Sequence, residues 1–212
     1  MTRRNFGQAA LAGVVLVMGM GLSLIQPERS AATVPAKAYF AGGCFWCMEE
    51  AFEKVEGVLM AVSGYMDGTV ANPTYEQVSA GGTGHAESVE VTYDPAKVSY
   101  QQLLDYYWVH IDPFDPIGQF CDKGHSYMTA IFVASPEEQE LAEQSLQQVA
   151  AQFPNQKVAT QILAASTFYP IKGEESYHQD YYKKNPVRYK FYRTTCGRDQ
   201  RLEEVWGDKA GH

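Results

Sequence analysis

The sequence predicts an α+β fold of two layers, a mixed β-sheet with helices packed on one face. Three observations point there. The predicted elements run strand, helix, strand, strand, helix, strand. No internal repeat or linker divides the 212 residues, a length that suits one good-sized core. An apolar content of 45% against 20% charged residues is that of an ordinary globular chain.

Taken in order, Lys37 to Phe40 is β-prone and ends at Gly42, so it reads as a strand. Gly42 and Gly43 allow a sharp turn into a helix headed by Cys44. Cys44, Cys47, Met48, Ala51, Phe52 and Val55 keep the spacing of one buried helical face. Glu49, Glu50 and Glu53 fall on the opposite face, expected to be wet. Val58 to Tyr65 makes a second strand. Asp67 to Gly84, rich in Gly, Pro, Asn and Thr, reads as loop. Alternation in the strand from His85 to Tyr93 puts Glu87 on the same, buried side as Val89, Val91 and Tyr93.

Ser99 and Gln102 form a capping-box pattern. They open a helix whose apolar face is Tyr100, Leu103, Leu104, Tyr107, Trp108 and Ile111. Asp112 to His125 is irregular and holds Cys121 and Asp122; loops of this length are often functional. Ser126 to Ala134 reads as a strand, and Ser135-Pro136-Glu137-Glu138 caps a helix that ends before Pro154. Val158 to Ala164 suggests another strand. From Glu174 the chain turns polar and aromatic, and its tail carries Cys196-Gly197.

Residues 1–32 read as an export signal. Thr2-Arg3-Arg4-Asn5-Phe6 precedes an apolar run from Ala9 to Ile25, and small residues follow. The paired arginines resemble a twin-arginine signal, so the mature protein is expected in the periplasm. An uncleaved anchor is the competing reading of that run. The formal net charge of −8 argues against nucleic acid and anionic membrane as partners.

The chemistry concentrates at Cys44. A thiol at a helix start meets the positive end of the helix dipole, which favours thiolate. Phe45 and Trp46 stand off the apolar stripe, and the glycines leave room for another molecule. A buried Glu87 tends to stay protonated and can act as an acid. Four cysteines in an exported chain also allow two structural disulfides. Cys-x-x-Cys at a helix start suits redox exchange better, and no second close pair offers zinc-ligand spacing.

Gly43-Cys44-Phe45-Trp46 with Glu49, Asn72-Pro73-Thr74-Tyr75, Thr83-Gly84-His85-Ala86-Glu87 and Tyr177-His178-Gln179-Asp180-Tyr181 together resemble peptide methionine sulfoxide reductase of the A type. The match runs from about Tyr39 to Asn185 within a domain bounded at residues 37–186, with a tail at 187–212. The resemblance implies a ferredoxin-like α+β fold and reduction of methionine S-sulfoxide, free or in proteins, with no metal or organic cofactor.

It further implies attack by Cys44 on the sulfoxide sulfur and proton supply from Glu87. Tyr75 and Tyr127 would be hydroxyl donors, Asp122 a further site residue, and Phe45 and Trp46 the walls of a methyl pocket. The resulting sulfenic acid would condense with a second cysteine, and a thioredoxin-like dithiol would reduce the disulfide. Cys47, Cys196 and Cys121 are candidates for that cysteine, in that order. A monomer is expected. Three positions depart from the common pattern: Cys47 where many relatives have Gly, Met128 and Thr129 after Tyr127, and a longer basic and aromatic run before Cys196. The competing function is an exported thiol–disulfide exchanger using Cys44 and Cys47.

Overall fold

The computed structural model describes Met1, Thr2 and residues 33–211, so the predicted export signal lies outside the described residues apart from its first two. From Thr33 onward the chain forms one unit. Its strands are β1 (Ala36–Gly42), β2 (Val58–Met66), β3 (Ala86–Tyr93), the two-residue β4 (Gly118–Gln119) and β5 (Asp122–Lys123), β6 (Thr129–Val133), β7 (Gln161–Ala164) and β8 (Tyr169–Pro170). Six of them build a mixed sheet in the order β7-β6-β1-β3-β2-β8, while β4 and β5 pair alone. Among the described residues, only β6 and β7 run parallel; the other pairs are antiparallel.

The helices are α1 (Phe45–Glu53), α2 (Tyr75–Ala80), α3 (Tyr100–Trp108), α4 (Pro136–Gln152), α5 (Tyr181–Lys184), α6 (Pro186–Thr195) and α7 (Arg198–Trp206). Strand alternation supplies one apolar sheet face: Ala38 and Phe40 from β1, Val89 and Val91 from β3, Ile131 and Val133 from β6. Against it pack Met48 and Phe52 of α1, Leu103 and Leu104 of α3, and Val149 of α4. Phe40 stacks between Phe52 and Tyr107 at 4.8 and 5.1 Å. A smaller cluster of Ala41, Met66, Ala86 and Phe132 lines the other face.

Three of the differences between structure and sequence reading bear most on the site. The segment read as loop contains α2, and Thr74 with Gln77 forms the same reciprocal capping box as Ser99 with Gln102. Glu49 is buried at 1% exposure, whereas it was expected in water. The cause is the segment after Ile171, which folds back over the polar face of α1. There Glu49 accepts hydrogen bonds from Asp180 N–H (3.0 Å) and Ser63 Oγ–H (2.9 Å). Finally, the tail is helical and packed: Leu202 and Trp206 belong to the main core, and Trp206 Nε1–H donates to the carbonyl of Ile111.

Candidate active site

Strand β1 delivers the chain to Gly43 at φ +78°, a conformation that favours glycine; a Cβ there would sit 2.5 Å from Cβ of the fully buried Gln119. Cys44 follows as N-cap of α1 and makes no side-chain capping bond, so its sulfur is free for other contacts. It borders a cavity of about 260 Å³. Phe45, Trp46, Tyr75, Glu87, Asp122 and Tyr127 border the same cavity. Five segments separated by up to 83 positions in the chain thus meet at one point. Arg188 and Tyr192 of α6 complete the wall. Neither was anticipated, because nothing local in the tail marks which face of α6 turns inward. A larger cleft of about 510 Å³, between Asn72–Thr74 and Thr167–Glu175, holds no thiol.

Glu87 is 3% exposed on β3, opposite Tyr65 of β2. Its Oε2 accepts the Phe45 N–H at 3.0 Å, which ties the carboxyl to the first turn of α1. Burial favours the protonated form and pushes its pKa well above the ordinary carboxylate range, opposed in part by that hydrogen bond. Tyr75 and Tyr127 are also held in the protonated state, chiefly by burial. Burial raises the Asp122 carboxyl too, against the hydrogen bond that Tyr192 donates to it.

The aromatic wall is fixed from behind. Trp46 stacks on Tyr181 at 3.8 Å and 7°, and its Nε1–H donates to His178 Nδ1 at 3.0 Å. Burial drops the His178 pKa to about 4, so the ring stays neutral and Nδ1 is free to accept. Tyr75 packs on the same imidazole at 4.2 Å. Gln179 anchors this segment by imitating a peptide group on β2: its Oε1 accepts Ser63 N–H, and its Nε2 donates to the carbonyls of Ser63 and Ile171.

Cys44 and Cys47 are both free thiols, 6% and 1% exposed. The helix-start argument expects the thiolate on Cys44, whereas the surroundings push the two thiols in opposite directions. Burial raises the Cys44 thiol well above its usual value, and its hydrogen bond with Cys47 and the Cys47 charge raise it further. The Cys47 thiol falls to about 6, first through the hydrogen bond from Cys44 and then through the guanidinium groups of Arg198 and Arg193, against its own burial. The pair therefore shares one proton. Cys196 is not a free thiol: it is bonded to Cys121 across a sequence separation of 75. As a partner for Cys44 it would first have to leave that disulfide.

Among the described residues, two groups of side chains have metal-like proximity: Cys121, Asp122 and Cys196, and Glu49, Glu53 and Asp180. The first contains the disulfide, and Asp180 and Glu53 of the second pair with Lys183.

Known proteins of similar sequence and shape agree on one theme. A family model described as "Peptide methionine sulfoxide reductase" matches residues 36–210. A protein of Caulobacter vibrioides named "Peptide methionine sulfoxide reductase MsrA 2" is 46% identical over 196 residues, spanning 92% of this chain and 98% of its own. One of Halalkalibacterium halodurans, "Peptide methionine sulfoxide reductase MsrA", is 49% identical over 172 residues, 81% of this chain and 96% of its own. Among solved structures, methionine sulfoxide reductase A of Corynebacterium diphtheriae superposes with a TM-score of 0.63 at 31% identity, covering 72% of this chain and 76% of that one. Reduced Mxr1 of Saccharomyces cerevisiae gives a TM-score of 0.67 at 27% identity, covering 72% of this chain and 87% of that one.

Proposed function

The chain belongs to the peptide methionine sulfoxide reductase family, and we propose that it reduces methionine S-sulfoxide through Cys44, with Cys47 as first resolving partner. The observation that carries this reading is the meeting of a thiol, a protonated carboxyl, two tyrosine hydroxyls and two aromatic rings around one cavity.

In the first step the Cys44 sulfur attacks the sulfoxide sulfur as its proton passes to Cys47. Negative charge building on the sulfoxide oxygen is met by the hydroxyls of Tyr75 and Tyr127, and Glu87 gives it a proton. Within the adduct the protonated oxygen passes from the substrate sulfur to the Cys44 sulfur. The substrate S–O bond and the new S–S bond break, a Cys44 S–O bond forms, and methionine departs with the S–S electron pair, leaving Cys44 as a sulfenic acid. The Cys47 sulfur then attacks Cys44. Its proton leaves with the hydroxyl as water, and a Cys44–Cys47 disulfide remains. Phe45 and Trp46 suit the soft, apolar methyl end of the substrate.

A thioredoxin-like dithiol returns the disulfide to two thiols, and the substrates are free or protein-bound methionine sulfoxide. A disulfide exchanger using Cys44 and Cys47 alone would leave Glu87 and the tyrosines without work. The direct test is mass spectrometry of a peptide carrying each sulfoxide epimer, incubated with the protein and dithiothreitol. Loss of one oxygen from the S epimer is expected, with none in Cys44→Ser. An unreacted S epimer, or full activity in Cys44→Ser, refutes the reading.

We also propose export, on the basic start, apolar run and small residues of positions 1–32. N-terminal sequencing of a periplasmic fraction is expected to begin near Ala32 or Lys37. Intact Met1 in a soluble cytoplasmic fraction overturns this.

A further inference from the structure

Helix α6 carries the basic and aromatic run of the tail along the opening of the active cavity. Between Asp180 and Asp199 the chain holds six cations and no carboxylate, against a formal net charge of −8 overall. Of the six, four are held: Lys183 by Glu53 and Asp180, Arg193 by Glu50 and Asp199, Lys184 by the carbonyls of Gln179 and Ser176, and the buried Arg198 by those of Gly42 and His110. Lys190 borders a separate cavity together with Glu50.

Arg188 remains. It borders the same cavity as Cys44, Glu87 and Tyr75, and its side chain is exposed. Among the described residues its guanidinium has no hydrogen-bond or ion-pair partner. The two carboxyls on the cavity wall are already engaged: Glu87 accepts the Phe45 N–H, and Asp122 accepts from the Tyr192 hydroxyl. Tyr192 lies one helical turn after Arg188 on the cavity side. Val187 and Phe191 form the adjoining stripe of α6 and are 83% and 70% exposed. The opening is thus edged by a cation with its donors unused and by two apolar side chains in water. A guanidinium fork fits a carboxylate through two parallel hydrogen bonds.

We propose that Arg188 is a specificity-determining residue that binds a carboxylate beside the sulfoxide, supplied by an Asp or Glu neighbouring the oxidised methionine in a polypeptide. The proposal rests on the reading of the cavity as the sulfoxide site. A polypeptide fits better than the free amino acid, because the exposed stripe of Val187 and Phe191 offers apolar contact to residues beyond the methionine itself. The molecule as a whole is acidic and repels an acidic segment, so this basic edge also directs its approach.

Two blocked peptides test the proposal, one with Asp on both sides of methionine sulfoxide and one with Asn in both places, each reduced by the full protein with dithiothreitol. The wild type is expected to favour the Asp peptide in kcat/KM by roughly fivefold, the upper range for an exposed ion pair. That preference is expected to fade between about 20 and about 500 mM salt. Arg188→Gln is expected to level the two peptides at low salt, Arg188→Glu to invert the preference, and Arg188→Lys to keep part of it. A ratio taken within each variant is independent of its overall activity, whereas a merely structural role would slow both peptides together.

Equal wild-type rates for the two peptides overturn the proposal without any variant and leave sulfoxide reduction standing. Reduction of neither peptide sinks the sulfoxide reading itself, and the proposal with it. An Asp preference that survives Arg188→Gln overturns the assignment to Arg188. N-acetyl-methionine sulfoxide against its amide is the last arm: a carboxylate preference found there and absent from the Asp peptide overturns the polypeptide source.

Discussion

Replacing both Cys121 and Cys196 by serine separates two roles for the tail, a staple or a carrier of electrons. The bond closes a loop across 75 positions. Chain-entropy theory gives such a cross-link roughly 15 cal/mol/K, or about 4.5 kcal/mol at 25 °C. Local losses are small, since serine is close in volume and the Cys121 N–H, which faces Cys196 Sγ at 3.2 Å, can find a hydroxyl instead. A domain of this size shifts by roughly 2–4 °C per kcal/mol, so the melting temperature is expected to fall by roughly 9–18 °C. Well below that temperature the double variant is given one equivalent of a methionine sulfoxide peptide with no reductant. Its two free thiols, Cys44 and Cys47, are expected to disappear together at the wild-type rate. A persistent sulfenic acid on Cys44, trapped by dimedone, would move Cys196 into the electron path. An unchanged melting temperature would refute the staple.

Two further outcomes follow from the buried carboxyls. Glu87→Gln keeps an acceptor for the Phe45 N–H but carries no transferable proton, so the single-turnover reduction rate is expected to fall about 10²-fold or more; an unchanged rate removes Glu87 from proton supply. Glu49 is pushed up to about 7, chiefly by burial. Its folded pKa therefore lies above its unfolded value near 4.5, and the stability it favours is complete below that value and is lost as pH rises to about 7. That loss is roughly 3 kcal/mol. In Glu49→Gln, whose amide serves both Asp180 N–H and Ser63 Oγ, urea unfolding is expected to show a flatter slope over this window. An undiminished slope would assign the pH dependence elsewhere.

What the sequence reveals about this site depends on how far each signal reaches along the chain. Glu87 was legible because strand alternation is local: three apolar neighbours on one side fix where the fourth side chain points. The capping box at Ser99 was read for the same reason, and the identical pattern at Thr74 was available but masked by the surrounding Gly, Pro and Asn. Glu49 misled, because the segment that covers it lies about 130 positions later in the chain. A helix cannot announce which partner will arrive from that distance. The pairing of Cys121 with Cys196 was equally hidden, since four cysteines allow three connectivities and spacing alone does not choose among them. Cys44 was legible in place, but the opposite pulls on its thiol and on that of Cys47 were not. The dipole of α1 is visible in sequence, whereas the cations beside Cys47 come from a tail whose inward face is set by packing.

Cys44 faces the cavity, and Cys47 lies behind it at 1% exposure. Oxidised substrate and external dithiol must therefore use the same doorway, and the pocket cannot hold both at once. Methionine has to leave before electrons can enter. Kinetics of the ping-pong type follow, with parallel lines in double-reciprocal plots against either reactant. Sulfoxide and dithiol compete for that opening, so abundant sulfoxide is expected to slow the second half of the cycle. The arrangement turns a narrow site into a clock, in which each half of the cycle waits for the other to vacate.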